Sequence, residues 1–388
     1  MNLKQFPQDF IVEEITTIPL SQHKKAHSVF IMEKINIDTF GAILLISQKT
    51  NIPIREIGYA GLKDKKAITR QYISIPTHCL NDFQNTKNLK LFFAGYHDKK
   101  IQIGDLKGNR FQIIIRNIKE NELNNIYKQV EIIKTQGVPN YFDSQRFKSV
   151  IKKIFIIKYM LEKKYEHAVK FYLTKYQESD SKWIKNDKKK ILINWNNFSN
   201  ISIRNKNFKK VINEYLKTHN WLLAYKKIPA NLKLIFIYSY QSYIWNECIK
   251  EVLRACINKK KLFSIRYSIG SLVFYSDLSK QETERIPTEF STVSHNGFYS
   301  EFEKKIIEKI LTKQGINLSD LSIELLTGNY FKAYKRPIIV KPNDFNISEP
   351  MKDEITNTRG RINYSIKTSY FLPKGSYATI IIKRIFYR

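Results

Sequence analysis

The sequence predicts an α+β fold in two domains, on three observations. Short runs rich in β-branched and aromatic residues alternate with helical periodicities over roughly the first 150 residues. At 388 residues the chain is longer than one hydrophobic core ordinarily organises. Charge is divided unevenly: residues 1–150 carry 22 basic and 14 acidic groups, whereas residues 151–250 carry 21 and 7, so a basic lobe begins near 151.

The elements follow in order. Phe10-Ile11-Val12 and Val29-Phe30-Ile31-Met32 read as strands from their aromatic and branched residues. A helix runs from Asp38 to about Gln48, with Asp38 or Thr39 suited to cap its first turn. Gln71 to Ile75 reads as a strand. Ile101-Gln102-Ile103 and Phe111 to Ile115 read as strands joined by a turn at Lys107-Gly108-Asn109. Leu123, Ile126, Tyr127, Val130 and Ile133 recur at three- and four-residue steps, one face of a helix that Gly137 and Pro139 stop. Asn207 to Leu223 and Ala230 to Cys256 read as helices. In the second, Tyr238, Tyr240, Tyr243 and Trp245 fit a buried stripe better than a base-stacking surface. Tyr377 to Phe386 reads as a strand.

Composition narrows the chemistry. The balance of 66 Lys+Arg against 35 Asp+Glu, a formal net charge of +31, points to a polyanionic partner, nucleic acid first. Hydrophobic content of 43% argues against wholesale disorder. The longest uncharged apolar stretch, around Phe40 to Ile46, falls far short of the ~20 residues that span a bilayer. The N-terminal residues lack the apolar core of a signal peptide. Cys79, Cys248 and Cys256 form an odd set without metal-ligand spacing and fit a reducing cytoplasm. The seven histidines form no metal-binding pattern, and the 13 glycines form no P-loop or dinucleotide fingerprint. No cofactor, metal or membrane is therefore expected, and a cytoplasmic monomer is.

The most informative segment is Gly58-Tyr59-Ala60-Gly61-Leu62-Lys63-Asp64-Lys65-Lys66-Ala67-Ile68-Thr69-Arg70-Gln71. It sets one carboxylate, Asp64, among cations beside a glycine turn. Opposite charge favours the ionised form of an acid, and a lone acid in so basic a chain suggests chemistry on a polyanion. Taken alone, the segment also fits a solvated acid in a basic turn.

This segment resembles the catalytic motif of the TruD family of tRNA pseudouridine synthases, close to A-G-x-K-D-K-x-A-x-T-x-Q. Ala60, Gly61, Lys63, Asp64, Lys65, Ala67, Thr69 and Gln71 all match. Four further stretches agree in order. Lys4 with Asp9-Phe10-Ile11-Val12-Glu13 is similar to the family's N-terminal lysine and E-D-F-x-V-x-E. Leu106-Lys107-Gly108-Asn109-Arg110-Phe111 resembles L-K-G-N-x-F. Asn140-Tyr141-Phe142 with Gln145-Arg146-Phe147 resembles N-Y-F-G-x-Q-R-F-G, and Phe371 to Thr379 resembles the closing F-x-L-P-x-G-S-(F/Y)-A-T. Gln241 to Asn246 and Arg336-Pro337 sit where the family's insertion domain carries similar residues. Asp143 and Lys148 stand where the family has glycine, which predicts an altered loop if those positions need glycine's positive φ.

The resemblance implies a pseudouridine-synthase-like catalytic domain with a mixed or antiparallel sheet, formed by residues 1–152 and 334–388. An α+β TRUD insertion domain, residues 153–333, would interrupt it. It implies isomerisation of uridine to pseudouridine in tRNA, at position 13 of the D arm, without cofactor or metal. Asp64 would be the catalytic carboxylate, attacking C1′ or removing the C2′ proton, with Lys4 its basic partner. Asn140, Phe142, Phe10 and Phe371 would bind the substrate nucleotide, Phe142 by stacking on the uracil. Lys63, Lys65, Lys66 and Arg70 are candidates for phosphate contact. Two other readings stay open: a synthase of this fold acting on another uridine, in tRNA or mRNA, and a basic RNA-binding protein without catalysis.

Overall fold

Strand β1 (Phe10–Thr16) buries Phe10, Val12 and Glu14 and leaves Ile11 and Glu13 half-buried, the two-residue alternation of a strand covered on one face. The same logic builds β2 (His27–Ile35), β4 (Ile68–Pro76), β5 (Leu89–His97) and β6 (Leu106–Ile118). The computed structural model describes residues 2–79, 83–198, 201–322, 331–357 and 362–386. It divides into two units, Met1–Val138 with Val340–Arg388, and Pro139–Ile339. The chain thus crosses between the units at 138/139 and 339/340, against the 152/153 and 333/334 boundaries read from sequence. Asn140 and Phe142 belong to the second unit.

The first unit holds a nine-stranded mixed sheet. With β3 (Gly58–Tyr59), β7 (Asn343–Ile347), β8 (Met351–Lys352) and β9 (Tyr364–Pro373), the order is β7-β9-β6-β1-β4-β2-β5; β8 pairs with β9 and β3 with β4. Among the described residues β1 and β4 run parallel and the other neighbours antiparallel. Helix α1 (Thr39–Thr50), capped by Asp38 accepting from the Gly41 amide, lays Ala42, Ile43 and Ile46 against Met32, Ile73, Ile75 and Leu89 of the sheet. Helix α2 (Glu120–Gln136) buries Ile126, Val130 and Ile133 and ends at Gly137, whose positive φ of 75° glycine adopts without steric penalty.

Three sequence expectations fail in this unit. Ile101 to Ile103 form no strand, and Lys107-Gly108-Asn109 lie inside β6 instead of forming a turn. Gly108 is there for close approach: a Cβ on it would sit 2.2 Å from the Leu372 carbonyl oxygen and 2.5 Å from the Phe371 ring. The expected strand at 377–386 is helix α3 (Ala378–Ile385). Strand β9 stops at Pro373, Gly375 turns the chain at φ 82°, and burial of Ile380, Ile381, Ile382 and Ile385 beside α2 outweighs the β-propensity of the run.

The second unit centres on the helix Ala230–Cys256, which buries Ile237, Tyr240, Ile244, Trp245, Cys248, Ile249, Val252 and Leu253. Tyr240 and Trp245 are core, in line with their spacing. The expected helix 207–223 is two, Lys206–Thr218 and Trp221–Lys226, because His219 turns left-handed at φ 50° and Asn220 caps the next helix. A hairpin, Leu262–Tyr267 with Gly270–Tyr275, and the pair Glu289–Ser291 with Lys335–Pro337 complete the framework that concerns function. Among the described residues no helix is long and apolar enough to cross a membrane, and no group of three ligands could hold a metal ion.

The close approach at Gly108 makes a direct prediction. Gly108→Ala should lower the unfolding free energy by about 3 kcal/mol, since the colliding groups include backbone that cannot rotate away. Urea denaturation of the variant beside the wild type checks it.

Candidate active site

Asp64 lies in the loop between β3 and β4, where no sheet ladder can satisfy the main chain. Side chains from the surrounding strands and helix do so instead. The Lys34 ammonium, on β2, donates to the Asp64 carbonyl at 2.7 Å and to the Ile37 carbonyl at 2.7 Å. The Thr39 hydroxyl, in the first turn of α1, accepts from the Lys63 amide at 2.9 Å and donates to the Gln71 amide oxygen at 2.9 Å. Gln71 in turn donates to the Gly61 carbonyl at 3.1 Å. The Lys63 ammonium pairs with Glu14 of β1, both side chains almost wholly buried.

The Asp64 carboxylate accepts from Lys4 at 2.8 Å, across sixty residues of chain. The Lys4 ammonium also lies 3.8 Å above the centre of the Phe10 ring, a cation–π contact. Lys4 holds φ at 58°, a left-handed conformation that costs a non-glycine residue roughly 1–2 kcal/mol. Its segment is tied down on either side. Asn2 exchanges backbone hydrogen bonds with Arg116, and the Arg116 guanidinium bridges Asp9 and Asp353 at 2.9 Å each.

Phe10 is buried, edge-on to Phe111. Strand registers separate it from Phe371, expected beside it in the substrate pocket, and from Arg70, expected as a phosphate contact. Phe371 pairs with Arg110, Arg110 with Glu13, and Glu13 with Arg70, so Phe371 and Arg70 point to the sheet face opposite Phe10, Val12 and Lys34. On that face Arg70 is held between Glu13 at 2.6 Å and Glu33 at 2.9 Å. Lys63 is committed to Glu14. Of the four candidate cations Lys65, Lys66 and Arg70 are exposed, and with Arg70 engaged by Glu13 and Glu33 on the other face, Lys65 and Lys66 are the ones beside Asp64.

The second unit carries its own polar cluster. The buried Arg336 guanidinium donates to the Asn140 carbonyl at 2.8 Å and to its side-chain oxygen at 3.0 Å, and lies 4.2 Å from the centre of the Phe142 ring. The Asn140 amide group donates to the Pro337 carbonyl at 3.2 Å. Asn246 brackets the Phe142 main chain, accepting from its amide at 3.0 Å and donating to its carbonyl at 2.9 Å. Trp245 meets the Phe142 ring edge-on. Asp143 and Lys148 hold φ of −99° and −61°, so neither position needs glycine, and the loop tolerates both replacements without backbone strain. Asp143 instead uses its carboxylate to accept from the Ser144 amide at 2.7 Å, capping the short 3₁₀ turn.

The sequence marks neither Lys34 nor Glu14, and marks Thr39 only as a candidate helix cap. Lys34 and Thr39 lie outside the Asp64 segment, and only the pairing of β2 with β4 and the docking of α1 bring them to it.

Burial pushes the Lys34 ammonium down to about 8, against the upward pull of Asp64 and Asp38. Because the folded value lies below the unfolded 10.5, the unfolded chain binds the extra proton between pH 8 and 10.5. The contribution of Lys34 to stability is therefore fully present above pH 10.5 and lost as pH falls through 8. The unfolding free energy of the wild type relative to Lys34→Met should rise by up to roughly 3 kcal/mol across that window. Denaturant titrations of both proteins at pH 7.5 and 10.5 measure it; a constant difference contradicts it.

Comparison with known proteins identifies the family. The family model described as tRNA pseudouridine synthase D (TruD) matches residues 1–385. "Probable tRNA pseudouridine synthase D 1" of Methanococcus maripaludis is 37% identical over all of this chain and 99% of its own length. The tRNA pseudouridine synthase D of Aquifex aeolicus is 31% identical over all of this chain and 98% of its own. A solved Methanosarcina mazei structure bearing the tRNA pseudouridine synthase D name shares the fold, with a TM-score of 0.69 at 24% identity, over 99% of this chain and 93% of that one. The chain belongs to the tRNA pseudouridine synthase D (TruD) family and is an enzyme of that isomerase class.

Proposed function

We propose that the chain converts uridine to pseudouridine at position 13 in the D arm of tRNA, with Asp64 as the catalytic carboxylate. The observation that supports this most directly is the Lys4–Asp64 pair at 2.8 Å, built on a left-handed lysine and the face of Phe10. The chemistry asks for such an acid. The C1′–N1 bond breaks, the uracil turns, C1′ joins C5, and the proton leaving C5 is balanced by one gained at N1. Nothing is oxidised and no group is added. Asp64, as its carboxylate, either attacks C1′ or takes the C2′ proton.

The target base must leave its stack before Asp64 can reach the sugar. Base–aromatic stacking is worth ~1–3 kcal/mol per base, and Phe142 is proposed as the ring that receives the uracil, with Asn140 binding the nucleotide. Phe10, on the sheet face that carries Lys4, is proposed as a support of the pocket, a role the opposite face denies to Phe371. Lys65 and Lys66 are proposed to meet phosphates, a contact that should weaken with rising salt.

Asp64→Asn should abolish tritium release from C5-labelled uridine in unmodified tRNA while changing the tRNA dissociation constant by less than about threefold, as expected of a group that acts on the transition state. Retained turnover excludes the role given to Asp64. Pseudouridine mapping in a deletion strain should show loss at tRNA position 13; an unchanged position 13 with loss elsewhere assigns a different uridine. Tight tRNA binding without any tritium release would mark a binder only.

A further inference from the structure

We infer that Lys34 and Thr39, neither in the Asp64 segment, are positioning residues that fix the main chain on both sides of Asp64. The inference rests on the role proposed above for Asp64. Lys34 grips the carbonyl of Asp64, and Thr39 grips the amide of the residue before it, Lys63. These contacts hold the peptide group that follows the Asp64 Cα and, one residue upstream, the peptide group between Leu62 and Lys63, and so restrict the direction in which the Asp64 carboxylate leaves the loop. Lys4 then needs to select only the rotamer.

Both residues are buried, Lys34 at 0% and Thr39 at 1% exposure, where hydrogen bonds are stronger than in water and cannot be exchanged for solvent. Their other bonds tie them to the framework: Lys34 to the Ile37 carbonyl, Thr39 to Gln71, which also holds Gly61. The loop is thus pinned at Gly61, Lys63 and Asp64 to β2, β4 and α1. A lysine is an expensive choice for a wholly buried site, since an ammonium loses its hydration there. Burial depresses its proton affinity accordingly. A hydrophobic side chain would fill the same volume more cheaply and leave the Asp64 carbonyl unheld. Neither residue touches the reacting atoms; both act through Asp64.

The test uses the full chain and an unmodified tRNA transcript. Lys34→Met keeps the length and removes the donors, Thr39→Val keeps the shape and removes the hydroxyl, and Thr39→Ser restores it. Lys34→Met and Thr39→Val should each lower the single-turnover rate constant by about 10- to 100-fold, the cost of a misplaced catalytic group. The tRNA dissociation constant should change by less than about twofold and Thr39→Ser should recover the rate to within about threefold, because neither Lys34 nor Thr39 is itself a group proposed to meet the RNA. Folded variants that keep the wild-type rate, or lose it only in step with folded fraction or tRNA affinity, overturn the inference. Should Lys34→Met not fold, the Thr39→Val and Thr39→Ser pair decides it. If Asp64→Asn is inactive while Thr39→Val retains full rate, the positioning role fails and the reading of Asp64 stands; if Asp64→Asn is active, both fall.

Discussion

The ion pair between Lys4 and Asp64 depends on where β1 lies in the sheet. Placed between β6 and β4, β1 delivers the N-terminal residues to the start of its parallel neighbour β4, and the loop that carries Asp64 enters β4 at that end. Energetics explain little of why the pair exists. Both side chains are 19% exposed, and a partly solvated pair is worth ~0–1 kcal/mol. The left-handed backbone at Lys4 costs at least as much. With the cation–π contact to Phe10 counted, worth ~0.5–1 kcal/mol, the fold maintains at little net gain an arrangement that places an ammonium against one carboxylate. The Asp9–Arg116–Asp353 bridge and the Asn2–Arg116 backbone pairing supply the rigidity that holds it. Local strain over-determined by its surroundings is characteristic of functional sites.

The surplus of positive charge is sorted by the same framework. Around the site the carboxylates are already matched: Glu14 with Lys63, Glu13 and Glu33 with Arg70. These pairs join strands and secure the loop, which removes Lys63 and Arg70 from the pool of cations facing a partner. What is left beside Asp64 is Lys65 and Lys66. In the second unit the helix Lys206–Thr218 buries Phe208, Val211 and Ile212 and exposes Lys206, Lys210 and Lys217 at helical spacing, a basic stripe with an apolar back. A net charge of +31 is thus divided between cations that build the protein and cations that face outward.

How much of this was legible in the sequence depends on the range of the interaction. Local signals were sufficient for α1, whose Asp38 cap and apolar periodicity are contiguous, for α2 with its Gly137 stop, and for the helix Ala230–Cys256. The Asp64 segment stood out because its glycines and charges are adjacent. Readings failed where a residue type serves a partner far along the chain. Gly108 suggested a turn, yet its missing Cβ makes room for Phe371 and Leu372, more than 250 residues on. Ile380 to Ile382 suggested a strand, yet they are buried beside α2. Lys34 looked like one of many lysines; nothing nearby marks it as the one wholly buried against the loop.

The second unit's cluster follows from where the chain crosses between units. The chain enters at Pro139 and leaves at Ile339, and the segments just inside these points, Asn140 and Arg336 to Ile338, are hydrogen-bonded to each other. Arg336 does there what lysine could not. Its planar guanidinium donates along its edge to both oxygens of Asn140 while its face lies over Phe142 and, at 5.0 Å, Trp245. An ammonium has no flat face to share between donor geometry and ring contact. The residues of the N-Y-F motif are therefore ordered by the returning strand as much as by their own loop. This accounts for the loop's tolerance of Asp143 and Lys148: its conformation is fixed from outside by Arg336 and Asn246, and not by glycine's freedom within it.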